Sequence, residues 1–129
     1  MTPPRVVLLV DDSQTVRRLI EWSLKPAGLK ALHAADGLQA LEILRAEAVD
    51  LAVVDLNMPR MDGIELIRCV RADERLKHLP IILLTTEGRI EDRKAGLEAG
   101  ANRFLTKPSP PEVLRAEVQA LLQAAEARS

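Results

Sequence analysis

Cysteine is nearly absent. The 129 residues hold one, Cys69, so no internal disulfide can form and the fold must stand on packing alone. Aromatics make up 2%, with no tyrosine, one phenylalanine (Phe104) and one tryptophan (Trp22). The core is therefore aliphatic, and a stacking platform for bases or flavins is excluded. Neither sign of charge is in excess: 18 basic and 19 acidic side chains give a formal net charge of −1. That balance lacks the basic footprint of a nucleic-acid or membrane-surface binder. No apolar run reaches the ~18 residues of a membrane span. The opening MTPPRVVLLVDD has too short an apolar stretch, and no small-residue cleavage site, for a signal peptide. Together these absences predict a cytoplasmic protein. The length and the lack of any linker or low-complexity stretch predict one domain over residues 1–129.

What is present is alternation. Aliphatic runs at Val6–Val10, Leu51–Val54 and Ile81–Leu84, with a weaker one at Arg103–Thr106, read as strands buried on both faces of a parallel sheet. Leu29–Ala34 is less apolar and reads as an edge strand. Between the strands lie helical patterns. Val16, Leu19, Ile20 and Leu24 follow the cap pair Asp12-Ser13. Leu38, Leu41, Ile43 and Leu44 follow Gly37, and Ile64, Ile67 and Val70 mark a third helix. Arg89–Leu97 gives a polar fourth. Ser109-Pro-Pro-Glu112 reads as a capping box opening a fifth helix, with a stripe of Val113, Ala116, Ala120, Leu121 and Ala124. Its last residues, AAEARS, read as a fraying end. Five strand–helix repeats predict a three-layer (βα)5 α/β domain around a parallel five-stranded sheet.

In such sheets ligands bind at the carboxyl ends of the strands. Those ends carry Asp11 and Asp12 after the first strand and Asp55 after the third. Thr85 ends the fourth and Lys107, before Pro108, ends the fifth. In LAVVDLNMPRMDG (residues 51–63) the apolar run stops on Asp55 because that end is the site. Two carboxylates ~4 Å apart repel by ~4 kcal/mol at an effective dielectric near 20. Three acids therefore need a counter-charge. Lys107 supplies one, and a hard divalent cation such as Mg2+, which takes oxygen ligands and keeps its waters, would supply more. Carboxylates, cation, hydroxyl and lysine together make a phosphoryl-handling site, in which an Asp carboxylate is itself a nucleophile. Each residue taken singly has a plainer reading: Asp12 or Ser13 a helix cap, Thr85 a strand residue, Lys107 a solvated lysine.

The stretches LLVDDSQTVRRLI (8–20), VVDLNMPRMDGIEL (53–66), PIILLTTE (80–87) and GANRFLTKP (100–108) carry a family pattern. Over essentially its whole length the chain resembles a response-regulator receiver domain of the chemotaxis-like, single-domain type. The resemblance implies a flavodoxin-like fold with strand order 2-1-3-4-5. That order belongs to the family and is not read from the sequence. It further implies that Asp55 accepts phosphoryl from a phosphohistidine on a sensor histidine kinase or phosphotransfer protein. Mg2+ would be bound by Asp12, Asp55 and the Asn57 backbone carbonyl, with Asp11 acting mostly through water. Thr85 and Lys107 would contact phosphoryl oxygens, Lys107-Pro108 would be cis, and Phe104 would be the switch aromatic. Output would pass to a further protein through the face of the fourth helix, fifth strand and fifth helix. The Phe104 ring would move toward burial when Thr85 is drawn inward, and the chain would be a monomer or weak phosphorylation-dependent dimer. One position departs from the family: Thr86 stands where a small residue is usual, and its β-branched side chain would narrow the path to Asp55.

Other readings compete. An aspartate-nucleophile phosphatase of the haloacid-dehalogenase type needs its second acid two residues after a nucleophile on the first strand, whereas Asp11 and Asp12 are adjacent. A flavodoxin-like flavin carrier would need a Ser/Thr/Gly-rich phosphate loop after the first strand. A receiver excised from a longer regulator has the same sequence as a stand-alone one, which is the reading favoured. No DNA-binding motif is present. His33 and His78 lack metal spacing, Cys69 has no activating histidine nearby, and Trp22 falls off the stripe of the first helix as a partly exposed residue.

Overall fold

A computed structural model describes residues 3–128; Met1, Thr2 and Ser129, and with them the two ends of the expected domain, lie outside the described residues. The strands are β1 (Val6–Val10), β2 (Lys30–Ala34), β3 (Leu51–Val54), β4 (Ile81–Thr85) and β5 (Arg103–Thr106). The helices are α1 (Gln14–Leu24), α2 (Gly37–Ala46), α3 (Gly63–Ala72), α4 (Ile90–Ala99) and α5 (Pro111–Arg128), with a short 3-10 turn at Lys25–Ala27. All pairings are parallel and the sheet order is β2-β1-β3-β4-β5. This is the flavodoxin-like arrangement, with β2 at one edge as its weaker apolar pattern foretold. No helix among the described residues is long and apolar enough to cross a membrane.

The period of two along each strand splits the core in two. Leu8 and Val10, Ala52 and Val54, and Ile81 and Leu83 face one layer, where they meet Leu41, Leu44, Leu66, Ile67 and Val70 of α2 and α3. Val7 and Leu9, Leu51 and Val53, and Ile82 and Leu84 face the other, against Ile20, Leu24, Leu114, Val118, Leu121 and Leu122 of α1 and α5. The central strands are buried on both faces because helices cover both.

Helix starts follow local chemistry. Ser13 caps α1 by accepting from Val16 N. Asp62 and Glu65 form a reciprocal capping box on α3. The box expected at Ser109 and Glu112 is displaced: Pro111 is the first residue of α5, and the Pro110 carbonyl accepts from Val113 and Leu114. The expected apolar stripe of α5 is corrected too. Val113, Ala116, Ala120 and Ala124 are exposed, and the buried face is Leu114, Val118, Leu121 and Leu122. Leu121 belongs to both sets and is buried as expected; elsewhere the buried positions are Leu114, Val118 and Leu122 instead. Leu19, expected in the α1 stripe, is also exposed, as is Trp22. The helix runs without break through the end expected to fray, as far as Arg128.

Leu114→Ala should therefore destabilise by about 2–5 kcal/mol, because it empties a filled site, while Val113→Ala should cost under about 1 kcal/mol. Urea midpoints of the two variants check the order; equal losses would contradict the corrected face.

Candidate functional site

The carboxyl ends of β1, β3, β4 and β5 lie side by side because the strands are parallel and nearly in register. Backbone bonds carry that order past the strand ends. Asp11 N donates to Ala34 O at 3.1 Å and Asp55 N donates to Val10 O at 2.9 Å. Asp11, Asp12 and Asp55 each place a carboxylate oxygen within 4.8 Å of the others. Asp11 is buried, Asp55 half-buried and Asp12 exposed, so the cluster runs from the protein interior to solvent.

Lys107 bridges two of the acids. Its Nζ lies 2.5 Å from Asp11 Oδ2 and 3.7 Å from Asp55 Oδ2. Asp11 Oδ1 accepts from Ser13 N at 2.9 Å, so its carboxylate is held at both oxygens. Thr85 is fully buried, and its hydroxyl accepts from Glu87 N at 3.2 Å. Burial pushes the Asp55 carboxyl above the ordinary carboxylate range; the Asp11 charge adds to the rise, while Lys107 and the Thr85 hydroxyl oppose it.

The loop from Asp55 to α3 is closely built. Gly63 N donates to Leu56 O at 2.9 Å and Met61 N to Pro59 O at 2.7 Å. A Cβ on Gly63 would stand 2.4 Å from the Asp55 carbonyl oxygen, a backbone atom that cannot move aside. Only glycine lets α3 start this close to the acid. Asn57 sits exposed in this loop.

The family model for the response regulator receiver domain matches residues 7–119. The chain belongs to the response-regulator receiver family. Chemotaxis protein CheY of Pseudomonas aeruginosa is 40% identical over 118 residues, which cover 91% of this chain and 95% of that protein. Chemotaxis protein CheY1 of Helicobacter pylori strain J99 is 42% identical over 118 residues, 90% of this chain and 95% of that one. The solved structure of Vibrio cholerae chemotaxis protein CheY4, crystallised at pH 4.0, superposes with a TM-score of 0.86 at 37% identity, over 92% of this chain and 99% of that chain. This receiver is a two-component response regulator with chemotaxis-like relatives.

Several expectations attached to the receiver pattern have a definite place in the structure. The Lys107-Pro108 bond is cis. Asp11, Asp12 and Asp55 come together, with Thr85 and Lys107 at neighbouring strand ends. Thr86 is exposed beside buried Thr85. The Phe104 ring is buried, packed with Leu83 near Gly96 of α4.

Two groups of residues escaped the sequence reading. His33, set aside above, accepts at Nδ1 from Arg17 Nε at 3.2 Å, and its Nε2 lies 2.7 Å from Glu21 Oε1. Arg17 also donates to the Asp11 carbonyl, so this trio braces the backbone of the site from α1. The helical spacing of Arg17 and Glu21 put both on one face, but nothing local said that β2 would lie beneath it. The second group, Asp36 and Arg60, joins two loops beside the site.

The raised Asp55 sets a pH dependence. Between the ordinary value of 3.8 and the raised one, the folded receiver binds more protons than the unfolded chain. Stability therefore rises as pH falls through that window and is lowest above it. Asp55→Asn should raise the melting midpoint of the metal-free receiver at pH 7, because it removes a charge that burial disfavours. The gain over wild type should shrink toward zero near pH 4 (~the ordinary carboxylate value). Parallel thermal melts from pH 3 to 8 (roughly spanning the carboxylate window) check the sign.

Proposed function

We propose that this receiver is a phosphoacceptor switch in which Asp55 takes a phosphoryl group from a phosphohistidine of a sensor kinase or phosphotransfer protein. The observation that carries this reading is the three-carboxylate cluster within 4.8 Å, with Lys107 reaching both Asp11 and Asp55. An Asp55 oxygen attacks phosphorus as the phosphorus–nitrogen bond of the donor breaks, and the imidazole leaves with the electron pair and takes a proton. Attack needs the ionised carboxylate, which Lys107 and Thr85 favour against burial. Lys107 Nζ, 3.7 Å from Asp55, is within a short movement of a phosphoryl oxygen bound there, and the Thr85 hydroxyl has a proton to donate to another.

The donor set fits a hard, partly hydrated cation: all three side chains are carboxylates and the outermost, Asp12, is exposed. Asp12, Asp55 and the Asn57 carbonyl would hold Mg2+, with Asp11 through water. When bound, Mg2+ offsets the negative charge of the transferring phosphoryl group. The phosphatase reading gains no support, since Asp11, directly after the first strand, is buried and engaged by Lys107 and Ser13. Phosphorylation would draw Lys107 and the Thr85 hydroxyl toward the new oxygens and so bias β4, β5 and α4, with Phe104 packed among them. A separate output protein would read that face, and the single cysteine, which can form no internal disulfide, fits a cytoplasmic setting.

Incubation with a small phosphodonor and Mg2+, followed by intact-mass spectrometry, should show one added phosphoryl group. Asp55→Asn should show none, nor should wild type in excess chelator. Undiminished labelling in either sample would overturn the assignment.

A further inference from the structure

The loop that carries Asn57 is clasped from the side by the loop between β2 and α2. Asp36 is the N-cap of α2, and its Oδ1 accepts from Gln39 N at 2.8 Å. Its other oxygen, Oδ2, accepts from both Nε and an amino group of Arg60, the Nε bond being 2.9 Å. Asp36 is 2% exposed, whereas the Arg60 side chain is 68% exposed. A buried acid is thus satisfied by a cation reaching in from the surface.

Arg60 is the one non-glycine residue with positive φ among the described residues, at 68°. That conformation disfavours an arginine, and no glycine or asparagine stands there to relieve it. Beside it, Gly37 N donates to Met61 O at 3.2 Å. A Cβ on Gly37 would lie 2.7 Å from the same oxygen and 2.6 Å from Met61 Cγ. Two independent contacts therefore press residues 60 and 61 against the start of α2. Arg60 is three residues after Asn57, and Met61 N closes back on Pro59 O, so the clasp transmits to the segment that presents the Asn57 carbonyl. The cap and the Arg60 guanidinium both hold the Asp36 carboxyl below its ordinary range, so the clasp is charged at neutral pH.

We infer that Asp36 and Arg60 are positioning residues for the metal site: their ion pair holds the β3–α3 loop in the strained shape that aims the Asn57 carbonyl at the cation. The inference rests on the phosphoacceptor reading, in which that carbonyl is a ligand. Two variants separate aiming from mere stability. Arg60→Gly removes the ion pair but accepts φ of 68° without strain. Asp36→Asn keeps an oxygen to cap α2 but loses the charge.

Mg2+ is titrated into wild type, both single variants and the double variant, followed by the amide NMR shifts of residues 55–63. Each single variant should bind Mg2+ more weakly, on the order of tenfold, as loss of a group that orients a ligand typically does. The double variant should be no weaker than either single one, because both remove the same contact. Affinities within about twofold of wild type in both variants would overturn the inference, even if their melting points fall. Additive losses would overturn it as well, since they would mean two separate contacts. Absence of Mg2+ binding in wild type would instead sink the phosphoacceptor reading, and the clasp's role with it.

Discussion

The Lys107 ammonium, 2.5 Å from Asp11 and 3.7 Å from Asp55, is the contact on which the rest of the site depends. Parallel strands and buried ends force acids into one partly dry corner. Desolvation then works against the charge of Asp55, and Asp11 worsens it. Without a cation between them the two carboxylates would repel each other unopposed. Lys107 reaches them from the far strand because β5 ends beside β4, in register with Thr85.

This arrangement leaves the site poised rather than relaxed. Asp11 is held by Ser13 N, Lys107 and, through its carbonyl, Arg17. Gly63 brings α3 hard against the Asp55 backbone, and the Asp36–Arg60 pair steadies the same loop from its outer side. The acids are thus framed by rigid neighbours, and the outermost one, Asp12, stays open to solvent. In the proposed function, a cation or phosphoryl group would meet groups already oriented, which lowers the reorganisation needed on binding.

The strands and the acids at their ends were legible because both are local signals: an aliphatic run, then a charge. Helix faces were less so. In α5 the alanines and Val113 repeat at a helical period as well as Leu114, Val118 and Leu121 do, and only packing against β1 and β4 chooses between them. The Asp36–Arg60 clasp left no trace, since its partners are 24 residues apart and an arginine gives no hint of positive φ. The partners of His33 were hidden for the same reason: Arg17 is 16 residues away, on a helix whose docking over β2 is a tertiary fact. Phe104 stood out as the one phenylalanine, but its burial depended on α4, the helix with the weakest apolar pattern.

The most direct measurement is the titration of the Asp55 side-chain carboxyl, followed by carbon-detected NMR in metal-free wild type and in Lys107→Met. Asp55 should titrate above the ordinary carboxylate value in wild type and higher again in the variant, because the remaining burial and the Asp11 charge would go unopposed by Lys107. An Asp55 that titrates at or below the ordinary value, unmoved by loss of Lys107, would contradict a desolvated acid held ionised by that lysine.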